Sequence, residues 1–285
     1  TFILIKKIGI IFGFLLLLSC QNFGQLILIT DLPKDLKEVS GTEIVPKSDL
    51  IWMVNDGGNK PILFGLNYRG KIIKEIDIRS KNNDWEDLAS DENGAIYIGD
   101  FGNNSNKRKN LSIIIVEQNE LDEKKAEVDE IEFEYPNQTA FPPKNKNKYF
   151  DTEAFFYFKS ALYLLTKSRV EGNYGKTTLY KIPAKKGKYT AEIVDEFESC
   201  KDLECWITSA DISPNRKKVV LLSQKKVLIF SDFKEDKFLS GKVTTINLVH
   251  RSQKESITFK DDHTLLITDE RANGSGGNLY ELKIK

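Results

Sequence analysis

A pattern of two short β-strands occurs five times along this chain of 285 residues and restricts the folds open to it. Each copy has an acidic or hydroxyl residue at the start of the first strand, then a polar turn, a second strand and a closing polar cluster. The opening residues are Ser40, Glu86, Glu153, Ser209 and Glu255. The opening and closing residues are 14 positions apart in three copies, 16 in the first and 15 in the fourth. This near-constant length indicates a repeat architecture.

Further β-prone runs follow each hairpin, for example 62–66 with 71–78 and 178–182 with 189–194. About four strands per unit predict an all-β fold, a β-propeller of five four-stranded blades occupying residues 21–285. The last unit offers only three strands, so a strand at 25–29 is expected to close the ring and cover its edges. Six blades are the alternative if segment 111–136 contains an extra blade.

The first twenty residues are set apart from this domain. Lys6 and Lys7 precede an apolar run at 8–18, which has the length of a signal-peptide core and is short for a membrane span. The run ends in Leu-Leu-Ser-Cys at 17–20, which resembles a bacterial lipobox. The resemblance implies that residues 1–20 are a lipoprotein signal peptide with Cys20 as the lipidated residue. The protein would then be lipid-anchored in the cell envelope, on the outer membrane or periplasmic face. The alternative is a buried apolar helix with an incidental cysteine.

An extracytoplasmic location changes how the other two cysteines are interpreted. Cys200 and Cys205 could form a disulfide there, although spacing alone does not establish the geometry. A zinc site would need further ligands, and the two histidines, His250 and His263, do not have ligand-like spacing.

Charge and motifs exclude several classes of function. The chain has 42 basic and 42 acidic side chains, without the basic excess of a nucleic-acid-binding protein. It has no G-x-S-x-G elbow, and segment 170–177 has Val170 where a phosphate-binding loop needs glycine. Segment 91–94 is too short a match for an EF-hand and is typical of a hairpin turn. Whether the protein is an enzyme stays open.

The five opening residues suggest a metal. The innermost strand of each propeller blade lines the central channel, so the opening residues are expected to converge on one axis. Three of them are carboxylates, which would repel one another without a partner. A hard cation would relieve this repulsion, and an oxygen ligand set suits calcium better than zinc. Alternatively, the carboxylates bond backbone amides and hold the blades together without a metal.

A second group of charged residues lies near the ends of the second strands. Its acidic members are Asp56, Asp100, Asp269 and Glu270, and its basic members are Arg108, Lys167, Arg169 and Arg271. The cations are candidates for anion binding, because arginine and lysine pair with phosphate oxygens. The candidates for catalysis are Asp56, Asp100, Lys167, Asp269 and Glu270. The alternative is a charged face in contact with solvent.

The phrases around the opening residues also resemble a known family. They are Glu38-Val39-Ser40, Trp85-Glu86-Asp87-Leu88-Ala89, Thr152-Glu153-Ala154, Thr208-Ser209-Ala210 and Lys254-Glu255-Ser256-Ile257. They are similar to the blade openings of the calcium-activated nucleotidases, or soluble apyrases, which are five-bladed propellers with a central calcium ion. The resemblance implies that the five opening residues are calcium ligands. The same phrases resemble a broader group of bacterial lipoprotein propellers, in the style of NHL and phytase-like esterase propellers.

Two functions follow as hypotheses. The first is a calcium-containing binding module, attached to the membrane by its lipid, that recognises a small anionic ligand, a glycan or a protein partner. The second is a calcium-dependent phosphoester hydrolase, either nucleotidase-like or phytase-like. The fold alone does not distinguish them, because propellers host both classes.

Overall fold

The computed structural model describes residues 23–46, 48–272 and 275–285. The signal-peptide and lipidation predictions, including Cys20, lie outside these ranges. Within them, the structure has no helix with the length and apolar character needed to cross a bilayer.

The described strands form five sheets, which are the blades of a β-propeller. Blade one contains β2 (Val39–Ile44), β3 (Ile51–Asn55), β4 (Ile62–Leu66) and β5 (Ile72–Ile78). Blade two contains β6 (Trp85–Ser90), β7 (Ile96–Asp100), β8 (Leu111–Val116) and β10 (Asp129–Glu134). Blade three contains β11 (Asp151–Phe158), β12 (Ala161–Lys167), β13 (Lys176–Pro183) and β15 (Glu192–Glu198). Blade four contains β16 (Ser209–Ile212), β17 (Lys218–Leu222), β18 (Lys226–Ser231) and β19 (Lys242–Asn247). Blade five contains β20 (Lys254–Asp261), β21 (Thr264–Asp269), β22 (Asn278–Lys283) and β1 (Ile27–Asp31).

Two short strands extend the outer edges of the first two blades. Strand β9 (Lys125–Ala126) pairs in parallel with β5, and β14 (Gly187–Thr190) pairs in parallel with β10. Segment 111–136 therefore contributes β8 and β10 to blade two and β9 to blade one, and it adds no sixth blade. The five-blade prediction is confirmed. In the described ranges, five 3₁₀ turns lie in the connections: Lys34–Leu36, Gln118–Asp122, Asn145–Asn147, Leu203–Cys205 and Phe238–Ser240.

The ring is closed by the N-terminal strand, as the sequence predicts, although two residues later than expected. Strand β1 pairs antiparallel with β22, with Ile27 opposite Glu281 and Asp31 opposite Asn278. Blade five therefore combines both ends of the propeller. This pairing covers the edge that β22 would otherwise present to solvent.

The apolar core is divided among the junctions between blades. Successive side chains of a strand point to opposite faces, so each blade can pack on both neighbours. Five buried clusters result among the described residues, one at each junction. The junction of blades three and four is rich in aromatic rings, where Phe238 meets Phe156, Phe158 and Tyr163 edge to face. Such pairs add to the stabilisation from buried area alone.

Cys200 and Cys205 are joined by a disulfide in the loop that leads into the innermost strand of blade four. Cys205 is buried, and Trp206 follows it directly. The disulfide therefore restrains the segment that places the Trp206 indole.

Removal of the ring-closing strand should destabilise the whole propeller. A chain beginning at Leu32 lacks the β1–β22 pairing and the buried Leu26 side chain. Compared with a chain beginning at Phe23, we expect its thermal midpoint to fall by roughly 5–10 °C or more. Differential scanning calorimetry checks this, and equal midpoints would show that β1 contributes nothing to closure.

Candidate metal centre

β-Bulges occur at the start of four of the five innermost strands. The pairing register shifts at Ser40 in β2, at Glu86 and Asp87 in β6, at Glu153 in β11 and at Glu255 in β20. A bulge leaves its extra residue out of the ladder and turns that side chain in a new direction. The bulged positions include four of the five residues that the sequence predicts as metal ligands: Ser40, Glu86, Glu153 and Glu255.

These four side chains line one cavity of about 340 Å³ at the end of the channel where the inner strands begin. Asp56 and Glu270, which follow β3 and β21, line it as well. The repeat pattern thus brings together residues from blades one, two, three and five.

Ser209, the fifth predicted ligand, lies deeper in the channel. Its strand β16 has no bulge, and its hydroxyl donates to Asp87 at 3.0 Å and accepts the amide of Ile257 at 3.1 Å. Thr208 lines the cavity in its place, with its hydroxyl donating to the Lys254 carbonyl at 2.9 Å. The hydroxyl of Ser40 similarly donates to a carbonyl, that of Trp85, at 2.9 Å.

Among the described residues, Asp56, Asp84 and Glu86 form a close group of carboxylates. One carboxylate oxygen from each lies within 4.8 Å of the other two. Asp84 is absent from the predicted ligands, although it lies two residues before Glu86. The two-residue spacing could have identified Asp84 in the sequence, because alternate residues of an extended segment share a face.

Two glycines allow the backbone to approach these carboxylates closely. A β-carbon at Gly102 would lie 2.0 Å from Oε1 of Glu86 and 2.6 Å from Oδ2 of Asp84. A β-carbon at Gly57 would lie 2.6 Å from Oδ1 of Asp84. Larger residues at these positions would push the carboxylates away from their present places.

The Glu86 carboxylate lacks any partner in the part of the chain that the structure describes. It is only 9% exposed, yet no described residue donates a hydrogen bond to it or forms an ion pair with it. Burial, followed by the charge of Glu153, raises its pKa well above the usual value. Burial also raises the pKa of Asp56 to about 6, and the charges of Asp84 and Glu153 add to this. The group is therefore unfavourable as three bare anions.

Glu153 is neutralised by two cations of its own blade. It lies 2.9 Å from Lys167 and 3.0 Å from Arg169, and Arg169 also pairs with Asp151. Burial would raise the pKa of Glu153, but these two charges outweigh it and the net shift is downward. Both cations lie over the Trp206 ring, 5.1 Å and 4.8 Å from its centroid. The predicted anion-binding residues Lys167 and Arg169 thus line the cavity but are already paired.

The remaining charged residues of the sequence prediction do not line the cavity. Asp100 pairs with Arg108 at 2.8 Å. Asp269 accepts the Tyr280 hydroxyl at 2.9 Å and the Asn278 amide at 2.8 Å. Arg271 donates to the Leu32 carbonyl at 3.1 Å. These contacts hold loops and strand ends in place.

Glu255 and Glu270 complete the acidic lining. Burial is the main cause that raises the pKa of Glu255 to about 8 and that of Glu270 to about 7. Glu270 accepts a hydrogen bond from the Gln253 side chain at 2.6 Å.

Comparison with known proteins shows the fold and not the chemistry. No protein-family model matches the chain, and no curated protein matches it in sequence. Among solved structures it is similar to a gluconolactonase from Xanthomonas campestris, with 12% identity, 91% of this chain and 89% of that chain covered, and a TM-score of 0.50. It is also similar to virginiamycin B lyase from Staphylococcus aureus, with 13% identity, 89% and 69% covered, and a TM-score of 0.43.

A third similar structure is hydrazine synthase from Kuenenia stuttgartiensis, with 14% identity and a TM-score of 0.41. The match covers 84% of this chain but only 58% of the hydrazine synthase chain. At such identities the likeness extends to the propeller fold alone. The resemblance to the nucleotidases stays a prediction.

The acidic lining predicts how the stability of the cation-free protein depends on pH. Asp56, Glu270 and Glu255 have pKa values of about 6, 7 and 8 in the folded chain, above those of the unfolded chain. Between the two sets of values the folded state holds more protons, so its stability falls as the pH rises from about 5 to about 8. Glu255→Gln should reduce this slope in thermal melts with chelator present.

Glu132→Gln is the matched control for that measurement, since Glu132 is a surface carboxylate 2.8 Å from Lys188. Its slope should equal that of the parent chain. An unchanged slope in Glu255→Gln would contradict the raised pKa of that group.

Proposed function

We propose that this propeller is a cation-dependent binding module, with a divalent cation held at the mouth of its channel by Asp56, Asp84 and Glu86. The observation that carries the proposal is the buried Glu86 carboxylate, which faces the cavity without a partner among the described residues. A buried charge without a partner is costly, and a bound cation would supply one.

The charge balance of the mouth supports a cation as the first ligand. The carboxylates in and beside the cavity are Asp56, Asp84, Glu86, Glu153, Glu255 and Glu270. The two cations there, Lys167 and Arg169, already pair with Glu153. An anion would therefore approach unpaired carboxylates unless a cation were bound first.

The donor atoms fit calcium. The residues that line the cavity include neither histidine nor cysteine, so the ligands available are carboxylate, amide and hydroxyl oxygens. Calcium takes such hard oxygen ligands in flexible arrangements, whereas zinc prefers nitrogen and sulfur. The volume of about 340 Å³ leaves room for a small polar ligand beside the ion. We propose a small anion or a glycan, bound through oxygen atoms.

Calcium should stabilise the folded protein. A ligand at a hundred times its dissociation constant adds about 2.7 kcal/mol of stability, which raises the thermal midpoint by roughly 5–10 °C for a chain of this size. Differential scanning fluorimetry with calcium and with chelator measures the shift. Glu86→Gln should abolish most of it, and so should Gly102→Ala, whose added methyl group meets Glu86 and Asp84.

Glu132→Gln again serves as the matched control and should keep the full calcium shift. Each variant is also melted with chelator, which separates a loss of calcium binding from a general loss of stability. Absence of a calcium shift in the parent chain, or a full shift in Glu86→Gln, would overturn the proposed site.

A second candidate function is calcium-dependent hydrolysis of a phosphoester. The observation that favours it is the position of Lys167 and Arg169 on the wall of the same cavity, where they could pair with phosphate after leaving Glu153. Phosphate release from nucleotides and from phytate, assayed in the calcium and chelator samples above, distinguishes the two. If phosphate release depends on calcium and is lost in Glu86→Gln, the protein is a hydrolase and the proposal of a binding module is rejected.

We also propose that the protein is anchored outside the cytoplasm by a lipid on Cys20. The Cys200–Cys205 disulfide supports an oxidising compartment, because cytosolic thiols are normally kept reduced. In a bacterial host, Cys20→Ser should move the full chain from the membrane fraction to the soluble fraction. The control variant Asn22→Ala should leave the chain in the membrane fraction. Equal fractionation of the Cys20→Ser variant and the parent would reject the anchor.

A further inference from the structure

A second cavity, of about 360 Å³, lies where the innermost strands end. Glu43, Ser90, Asp211 and Phe259, from the last parts of β2, β6, β16 and β20, line it. The metal centre lies at the starts of the same strands. At about 3.3 Å per residue, the four residues from Glu86 to Ser90 separate the two cavities by roughly 13 Å. The second cavity is therefore a separate site at the opposite end of the channel.

Two acidic side chains from different blades meet at this cavity. Asp211 accepts the amide of Phe259 at 2.6 Å and the hydroxyl of Thr258 at 3.1 Å. Glu43 lies on the other side of the same Thr258 hydroxyl, at 3.4 Å, and accepts the hydroxyl of Ser90 at 2.6 Å. Thr258 thus stands between the two carboxyl groups.

One oxygen of Glu43 has only a shared donor among the described residues. A threonine hydroxyl carries a single proton, and the shorter contact gives that proton to Asp211. Oε2 of Glu43 is left with only the longer contact to Thr258, at 3.4 Å, although the side chain is only 6% exposed. An oxygen so weakly paired, on the wall of a cavity, favours a ligand that donates a hydrogen bond to it.

The other charged groups of the cavity do not neutralise Glu43. They are Asp91, Glu92 and Arg216. Asp91 accepts the amides of Asn93, Gly94 and Ala95 in a turn, and Arg216 pairs with Glu92. Four carboxyl groups therefore face a single arginine that is already paired, so the charge favours a cationic ligand.

The walls indicate the kind of cation. Ile44, Pro46, Ile212, Pro214 and Phe259 give the cavity an apolar lining, and Tyr157 adds an aromatic ring. A hydrated metal ion gains little from such walls, and the two carboxyl groups supply fewer ligands than calcium takes. An organic cation uses both features, since its charged end pairs with the carboxyls and its carbon body covers the apolar surface.

We propose that this cavity binds a small organic ammonium ion, with the N–H groups of the ligand donating to Glu43 and Asp211 and its apolar body between Pro46, Pro214 and Phe259. The site does not depend on the metal centre or on the proposed function. The propeller would then bind a metal ion with a small anion or glycan at one end of its channel and an organic cation at the other end.

The electrostatics of the cavity agree with this geometry. Burial, followed by the neighbouring Asp211 charge, raises the pKa of Glu43 well above its usual value. Burial also raises the pKa of Asp211 to about 7. The raised pKa values favour a proton shared by these two carboxyl groups, which an arriving ammonium ion would displace. Binding should release protons to the buffer.

Isothermal titration calorimetry of the folded chain with benzylammonium tests the proposal, with benzyl alcohol as the neutral probe of the same shape. We expect saturable binding of the ammonium ion and none of the alcohol. The measured heat should differ between two buffers of different ionisation enthalpy, because protons are released. Glu43→Gln should weaken benzylammonium binding by roughly tenfold or more, the effect of losing one charge-assisted hydrogen bond.

Two control variants define where the ligand binds. Glu132→Gln, outside the cavity, should keep the affinity within about twofold, since Glu132 is a surface carboxylate paired with Lys188. Glu86→Gln, at the metal centre, should leave it unchanged. Equal binding of benzylammonium and benzyl alcohol, undiminished binding to folded Glu43→Gln, or no binding of benzylammonium at millimolar concentration would each overturn the proposal.

Discussion

The structure depends on five innermost strands that share one narrow axis. A carboxylate that points toward this axis loses its hydration, and the ring brings other carboxylates beside it, so each one needs compensation. Glu153 has Lys167 and Arg169, and Asp87 has the Ser209 hydroxyl together with backbone amides. Glu86 has neither among the described residues. This difference distinguishes carboxylates that hold blades together from those available to a ligand.

The sequence predicts the five blades, the closing strand and four metal-ligand candidates that line the cavity, because repeat spacing and strand periodicity are local properties. It does not predict the depth of each side chain in the channel. Ser209 occupies the repeat position of the other openers, but β16 has no bulge and the serine lies below the cavity. A bulge depends on how two strands pair, which spacing within one strand does not reveal. Asp84 and Glu43 precede or follow the repeated phrases, and their roles arise only when blades meet.

The charged residues at the ends of the second strands illustrate the same limit. Asp100 with Arg108, and Asp269 with Tyr280, make local contacts that fix turns and strand ends. Lys167, from an equivalent position of its hairpin, reaches the channel because it pairs with the bulged Glu153. Similar sequence positions therefore have a structural role in two blades and contribute to the cavity in a third. The likeness to other propellers extends to the scaffold, and function has to be argued from such individual contacts.

The closure of the ring in blade five has a mechanical consequence. Strand β1 enters the sheet from the amino terminus and pairs with β22, while the Lys218 ammonium in blade four holds the carbonyl of Lys285. A pull on the amino terminus would load the β1–β22 hydrogen bonds before any other contact between strands. The strand that completes the circle is thus also the one that bears tension from any tether, and its rupture would open the molecule at a single seam.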